Sequence, residues 1–210
     1  MIGQGVQKRR NMAYRSTSAL LLDRDGVINV DRGYVHRIED FEFIPGIFEL
    51  TRFVVQQLGW PVIVITNQAG IARGFYDEAA YLRLTQWMCE CFSAEHAPLA
   101  RVYHCPYHPE HGVGPYRLAH DWRKPLPGMI MQAQIDFDLD LSKSLLIGDK
   151  ISDIAAGAAA GVKLRIRIDP LATPPGAGDP LHQVVRNLED ALFLLQSECA
   201  VHCSGKDGVI

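Results

Sequence analysis

The sequence predicts an α/β fold, a Rossmann-like parallel sheet covered by helices on both faces. Three observations carry that prediction. Short apolar runs alternate with segments of helical period along most of the chain. Several runs are apolar at every position, as strands buried on both faces must be, and not at every second one. Carboxylates gather directly after the first and fourth runs, at the strand ends where such sheets bind their ligands.

Taken in order, the first run covers 19–23 and ends in an acid. Residues 45–58 follow with Ile47, Leu50, Val54 and Leu58 on one helical face. The run 61–66 (PVIVIT) is rich in β-branched residues and reads as a buried strand. Asp77 is placed to cap a helix that extends to about Glu95. Residues 99–104 form a third strand, and 105–122, with no clear period, a long loop. Pro127 opens a helix near its first turn. The remaining elements are a strand at 144–148, a helix at 151–160, a strand at 163–168 and a closing helix at 187–196.

A chain of 210 residues predicts a single domain, here 19–198 with 105–122 as a loop insertion, between tails at 1–18 and 199–210. The first tail carries Lys8, Arg9, Arg10 and Arg15 and no acid, and it reads as a solvated segment. Hydrophobic residues at 48% and charged residues at 21% exclude disordered and fibrous classes. A formal net charge of −3 argues against nucleic acid as a partner. No apolar run is long enough to span a bilayer, so no membrane partner is expected. Five cysteines without a framework pattern suit a reducing, cytoplasmic setting, and a monomer is the default.

The strand ends hold the chemistry. Asp23 and Asp25 flank Arg24 and precede Gly26; like charges so close after a buried strand invite a divalent cation, although a surface turn has the same spelling. Thr66, Asn67 and Gln68 end the second strand, where they suit a polar ligand or ordinary turn chemistry. Arg123 and Lys124 precede a helix start, a setting that favours an anion or a solvated basic pair. Asp149 and Asp153 follow the fourth strand, where a further carboxylate would complete a metal site or where Ser152 or Asp149 would simply cap a helix.

In that order these motifs resemble the haloacid dehalogenase-like (HAD) phosphatase superfamily. The segments LDRDGVINVDRGYVH (22–36), FEFIPG (41–46), ITNQAGIARG (65–74), YHCPYHP (103–109), RKPLPGM (123–129) and IGDKISD (147–153) are similar to its heptose 1,7-bisphosphate 7-phosphatase family. A histidinol-phosphate phosphatase subfamily shares several of them. The resemblance implies a Mg²⁺-dependent phosphatase with a HAD-like fold, no large cap domain and a small phosphorylated sugar as substrate. Asp23 would be the nucleophile and Asp25 the general acid and base. Thr66 and Lys124 would bind phosphoryl oxygens. The metal would be held by the Asp23 carboxylate, the Asp25 carbonyl and the Asp149 carboxylate. Asp153 would orient Lys124 or the metal shell. Asp31, Arg32, Gly33 and Tyr34 would form a flap over the sugar, and Asn67, Gln68 and Arg123 would complete the pocket.

Two competing readings remain at this point: a phosphatase for histidinol phosphate or another small phosphomonoester, and a non-catalytic sugar-phosphate binder. The intact Asp23, Asp25, Lys124 and Asp149 set speaks against the second. The resembled family commonly carries a structural zinc before the Arg-Lys-Pro motif, through Cys-x-His and then Cys-x-Cys. Here those positions read Cys105-Pro106-Tyr107 and His120-Asp121-Trp122, so only Cys105 and His120 remain able to ligate. Structural zinc is almost always four-coordinate. The expectation is a Mg²⁺ enzyme with a zinc-free loop, with His104, His108 and His111 nearby as alternative ligands.

Overall fold

The computed structural model describes residues 18–172 and 182–204. Six strands form one parallel sheet: β1 (Leu20–Leu22), β2 (Val62–Asn67), β3 (Leu99–Cys105), β4 (Leu145–Gly148), β5 (Leu164–Ile168) and β6 (His182–Val185). Their spatial order is β3-β2-β1-β4-β5-β6. β1 is central, with Leu22 level with Val64 on one side and with Ile147 on the other. The chain steps outward from β1 to β3, returns to β4, and then steps outward the other way. The strand order therefore reverses between β1 and β4, and a crevice opens there beyond the carboxyl ends.

The helices are α1 (Ile47–Phe53), α2 (Ala69–Ala72), α3 (Glu78–Ala94), α4 (Gly128–Phe137), α5 (Ile151–Ala160) and α6 (Leu188–Ser204). A π-helical stretch (Val54–Leu58) prolongs α1 until Gly59 ends it in the left-handed region. The Asp77 side chain accepts from Ala80 N–H at 2.7 Å at the start of α3, a cap of about 1 kcal/mol.

Alternation along the strands explains their unbroken apolar spelling. Leu20, Leu22, Val62, Val64, Leu145 and Ile147 point to one face, against residues of α1, α3 and α6. Leu21, Ile63, Ile65 and Leu146 point to the other, against α4 and α5. The three leucines of β1 are wholly buried, each contributing roughly 1.5–3 kcal/mol. Polar groups at the end of β1 thus rest on a sheet clamped from both sides.

One expectation is corrected. The closing helix does not stop at 196; its backbone runs on to Ser204, through the first residues assigned to a tail. β6 and the single turn α2 were not foreseen. The loop 105–122 contains a 3₁₀ turn (Gly114–Tyr116) and is pinned to α2 through Val113 N–H to the Ala72 carbonyl at 2.8 Å. The basic stretch holding Lys8 to Arg15 lies outside the described residues.

Candidate active site

Asp23 follows β1 directly, and its N–H donates to the Ile147 carbonyl of β4 at 3.0 Å. The residue is only 6% exposed. Oδ1 accepts from Arg24 N–H at 2.7 Å and lies 2.9 Å from Lys124 Nζ. Burial raises the Asp23 carboxyl to about 7; Lys124 opposes that rise and the Asp153 charge adds to it.

Lys124 arrives from the segment before α4. Asn67 fixes its backbone twice: Lys124 N–H donates to Asn67 Oδ1 and Asn67 Nδ2 donates to the Lys124 carbonyl, both at 3.0 Å. The buried ammonium then has three acceptors: Asp23 Oδ1, Asp153 Oδ1 at 2.7 Å and the Ile65 carbonyl at 2.9 Å. Burial alone lowers the Lys124 ammonium, but Asp23 and Asp153 more than offset this and hold it charged. Asp153 Oδ2 also accepts Lys150 N–H at 2.9 Å, which caps α5.

Asp25 is held from three sides. Oδ1 accepts from Arg24 Nη2 at 2.7 Å and Asn29 Nδ2 at 3.1 Å. Oδ2 accepts from Gln68 Nε2 at 3.1 Å. Arg24 is 1% exposed, lies over the Tyr81 ring and donates also to the Val35 carbonyl at 2.8 Å. This buried cation therefore ties the end of β1 to the segment that follows the 31–34 turn. In that turn Asp31 accepts from Gly33 N–H at 2.9 Å and pairs with Lys150 at 3.0 Å. Burial raises the Asp31 carboxyl, yet Lys150 and Gly33 bring it net below its ordinary value.

Asp23, Asp149 and Asp153 each offer an oxygen within 4.8 Å of the other two. Lys124 is the only buried ammonium among them. Asp149 Oδ1 is buried with no hydrogen-bond partner, and burial raises that carboxyl. Hard oxygen donors, surplus negative charge and an orphaned carboxylate oxygen fit a divalent cation such as Mg²⁺. Gly26 makes the approach possible. Its φ is +87°, and a Cβ there would sit 2.3 Å from Asp149 Oδ2.

A pocket of about 320 Å³ opens at this point. The predicted residues Asp23, Asp25, Asp31, Gly33, Tyr34, Thr66, Asn67, Gln68 and Lys124 line it. Three predicted residues do not. Arg32 pairs on the surface with Glu42, because the turn that aims Asp31 and Gly33 inward aims it outward. Arg123 lies beside the pocket, with Nη1 3.3 Å from the Tyr107 carbonyl. Asp149 sits behind Gly26. Sequence reading assigned no site role to Arg24, Lys150 or Tyr76; Lys150 and Tyr76 line the pocket, and Arg24 holds Asp25. A buried arginine between two carboxylates was the available signal for Arg24. No residue of the loop 105–122 lines the pocket.

In that loop, His120 stacks on Tyr107 with ring centroids 4.8 Å apart, and its Nδ1 accepts from Trp122 N–H at 3.0 Å. Trp122 meets Tyr103 edge-on. The acidic trio is the only group of three or more potential metal ligands among the described residues.

Residues 121–165 match the HAD-hydrolase-like family. A Burkholderia mallei relative named D-glycero-alpha-D-manno-heptose-1,7-bisphosphate 7-phosphatase is 52% identical over 182 residues, 84% of this chain and 93% of its own. The Escherichia coli K12 protein named for the beta anomer is 42% identical over 162 residues, covering 76% and 84%. The crystal structure of the D,D-heptose 1,7-bisphosphate phosphatase of B. bronchiseptica, complexed with magnesium and phosphate, superposes with a TM-score of 0.73 at 27% identity, covering 86% of this chain and 99% of that one.

Proposed function

The chain belongs to the heptose 1,7-bisphosphate 7-phosphatase family of HAD-like hydrolases, and on that footing we propose that it removes the C7 phosphate of a D-glycero-D-manno-heptose 1,7-bisphosphate. It is a phosphoric monoester hydrolase. The observation that carries the reading is the convergence of Asp23, Asp25 and Lys124 on one pocket at the sheet's switch point, with Asp149 directly behind.

Asp23 attacks phosphorus through a carboxylate oxygen. The bond from phosphorus to the C7 oxygen breaks, and an aspartyl-phosphate forms. Asp25 gives its proton to the departing alkoxide, so a neutral alcohol leaves. Asp25, now a carboxylate, takes a proton from water as the water oxygen attacks phosphorus. Inorganic phosphate departs and the Asp23 carboxylate is restored. Lys124 and the Thr66 hydroxyl, both buried, face the phosphoryl oxygens with fixed donors, which suits a reaction governed by positioning and charge. The carboxylates of Asp23 and Asp149 and the Asp25 carbonyl would hold Mg²⁺, which supplies charge neutralisation between nucleophile and phosphate.

Substrate choice rests on the rim. Asp31 and Lys150 form an ion pair at the pocket edge, suited to sugar hydroxyls and phosphate oxygens respectively. Tyr34 packs edge-on against Phe75, ring centroids 4.7 Å apart, and forms an apolar wall. Arg123 stands nearby to meet the distal end of the substrate. Ranking kcat/KM for both anomers of the heptose bisphosphate, hexose bisphosphates and histidinol phosphate tests the assignment. A heptose bisphosphate heads the ranking on this reading; histidinol phosphate at its head would overturn it.

A further inference from the structure

Behind Asp25 lies a buried polar chain that the chemistry above does not use. Gln68 is 2% exposed and Tyr76 8%. The Tyr76 hydroxyl lies 2.6 Å from Gln68 Oε1. Gln68 Nε2 lies 3.1 Å from Asp25 Oδ2 and 2.9 Å from Thr66 Oγ1. The amide NH₂ faces Asp25 and Thr66, and Oε1 accepts the Tyr76 hydroxyl proton. The tyrosine is itself fixed. His36 stacks on its ring at 4.7 Å, nearly parallel, and Gly70 leaves the slot in which it sits, since a Cβ there would lie 2.2 Å from Tyr76 Cε1.

The two oxygens of Asp25 are not equivalent. Arg24 and Asn29 occupy both acceptor directions of Oδ1. Oδ2 accepts from Gln68 alone and keeps one direction open. We propose that Tyr76 and Gln68 form a positioning relay that aims Oδ2 of Asp25 at the leaving oxygen and makes it the atom through which the proton passes. The same amide binds Thr66 Oγ1, so one Gln68 orientation sets the acid and a phosphoryl donor together. Tyr76 acts through Gln68 and is a positioning residue. The inference rests on Asp25 being the leaving-group acid.

The test compares a sugar phosphate, whose leaving group needs a proton, with p-nitrophenyl phosphate, whose leaving group does not. Tyr76→Phe keeps the ring and removes the hydroxyl. It is expected to lower kcat on the sugar phosphate about tenfold with KM unchanged, and to change p-nitrophenyl phosphate turnover by less than about threefold. Should Tyr76→Phe unfold, Gln68→Met removes all three contacts, including the one to Thr66, and should lower turnover of both substrates, with the sugar phosphate losing several-fold more. In an Asp25→Asn background Tyr76→Phe should have no further effect, because residues acting as one unit are not additive. Equal losses on both substrates, or a full further loss in the Asp25→Asn background, would overturn the relay. Equal losses on both substrates from Asp25→Asn itself would overturn the assignment of Asp25, and the relay with it.

Discussion

A carboxylate at the end of a buried strand is expensive to ionise, and Asp23 shows how this chain manages it. One ammonium, that of Lys124, is shared between Asp23 and Asp153, while Asp149 meets Lys150 through Oδ2 at 3.5 Å and keeps a buried Oδ1 without a hydrogen-bond partner. Replacing Asp23 with Asn preserves shape and relieves the charge. Turnover should fall at least about 1,000-fold, since an amide does not serve as the nucleophile, while the thermal midpoint holds or rises. Activity within tenfold of wild type would contradict the assignment. Gly26 makes a second commitment. Gly26→Ala places a Cβ 2.3 Å from Asp149 Oδ2 at a φ of +87°. Backbone strain of about 1–2 kcal/mol is expected, and the displaced carboxylate should raise the Mg²⁺ concentration for half-maximal activity several-fold. An unchanged Mg²⁺ titration would show that Asp149 is not a ligand.

At the scale of elements, the central strands were readable because burial on both faces writes an uninterrupted apolar run. The stretches 20–22, 62–67 and 145–148 all declared themselves that way. β6 did not, since His182 and Gln183 stand in a four-residue edge strand and give neither a run nor an alternation. α2 is too short to show a helical period. The motif residues at strand ends were readable by type and order. Their partners were not: Arg24 with Asp25, Lys150 with Asp31 and Tyr76 with Gln68 arise from tertiary placement that spacing does not encode. Arg32 shows the converse, a motif residue turned outward by its own turn. In the 105–122 loop, His120 Nδ1 is occupied by Trp122 N–H, and His108 Nδ1 accepts from Glu110 and His111 N–H at 3.2 and 3.1 Å. Aromatic packing of Tyr107, His120, Trp122 and Tyr103 shapes this segment. Metal analysis of untagged protein purified without added zinc should therefore find far less than one zinc per chain. One equivalent, lost on Cys105→Ser, would contradict this.

For the whole molecule, charge couples stability to pH and to metal. Asp23 has a folded-state value near 7, above its unfolded value of 3.8, and burial raises Asp149 as well. The folded chain thus binds more protons than the unfolded one between those values, so these groups make metal-free stability fall as pH rises from about 4 to about 7. Mg²⁺ competes with those protons. Its stabilising effect should be small at pH 5 and larger at pH 8, reaching about 2.7 kcal/mol at a hundred times its dissociation constant. Thermal melts with and without Mg²⁺ at both pH values check the sign; a larger Mg²⁺ effect at pH 5 would contradict it. The central claim is that a single phosphate ester is cut at the far end of a heptose, as the names of the relatives imply and as the acidic site at the sheet's switch point supports. Phosphorus NMR of a D-glycero-D-manno-heptose 1,7-bisphosphate incubated with the protein and Mg²⁺ tests it most directly. Loss of the C7 phosphate signal, growth of inorganic phosphate and a retained C1 phosphate are expected, with no change for Asp23→Asn. Release of the C1 phosphate, or an unaltered spectrum with the wild-type protein, would contradict it.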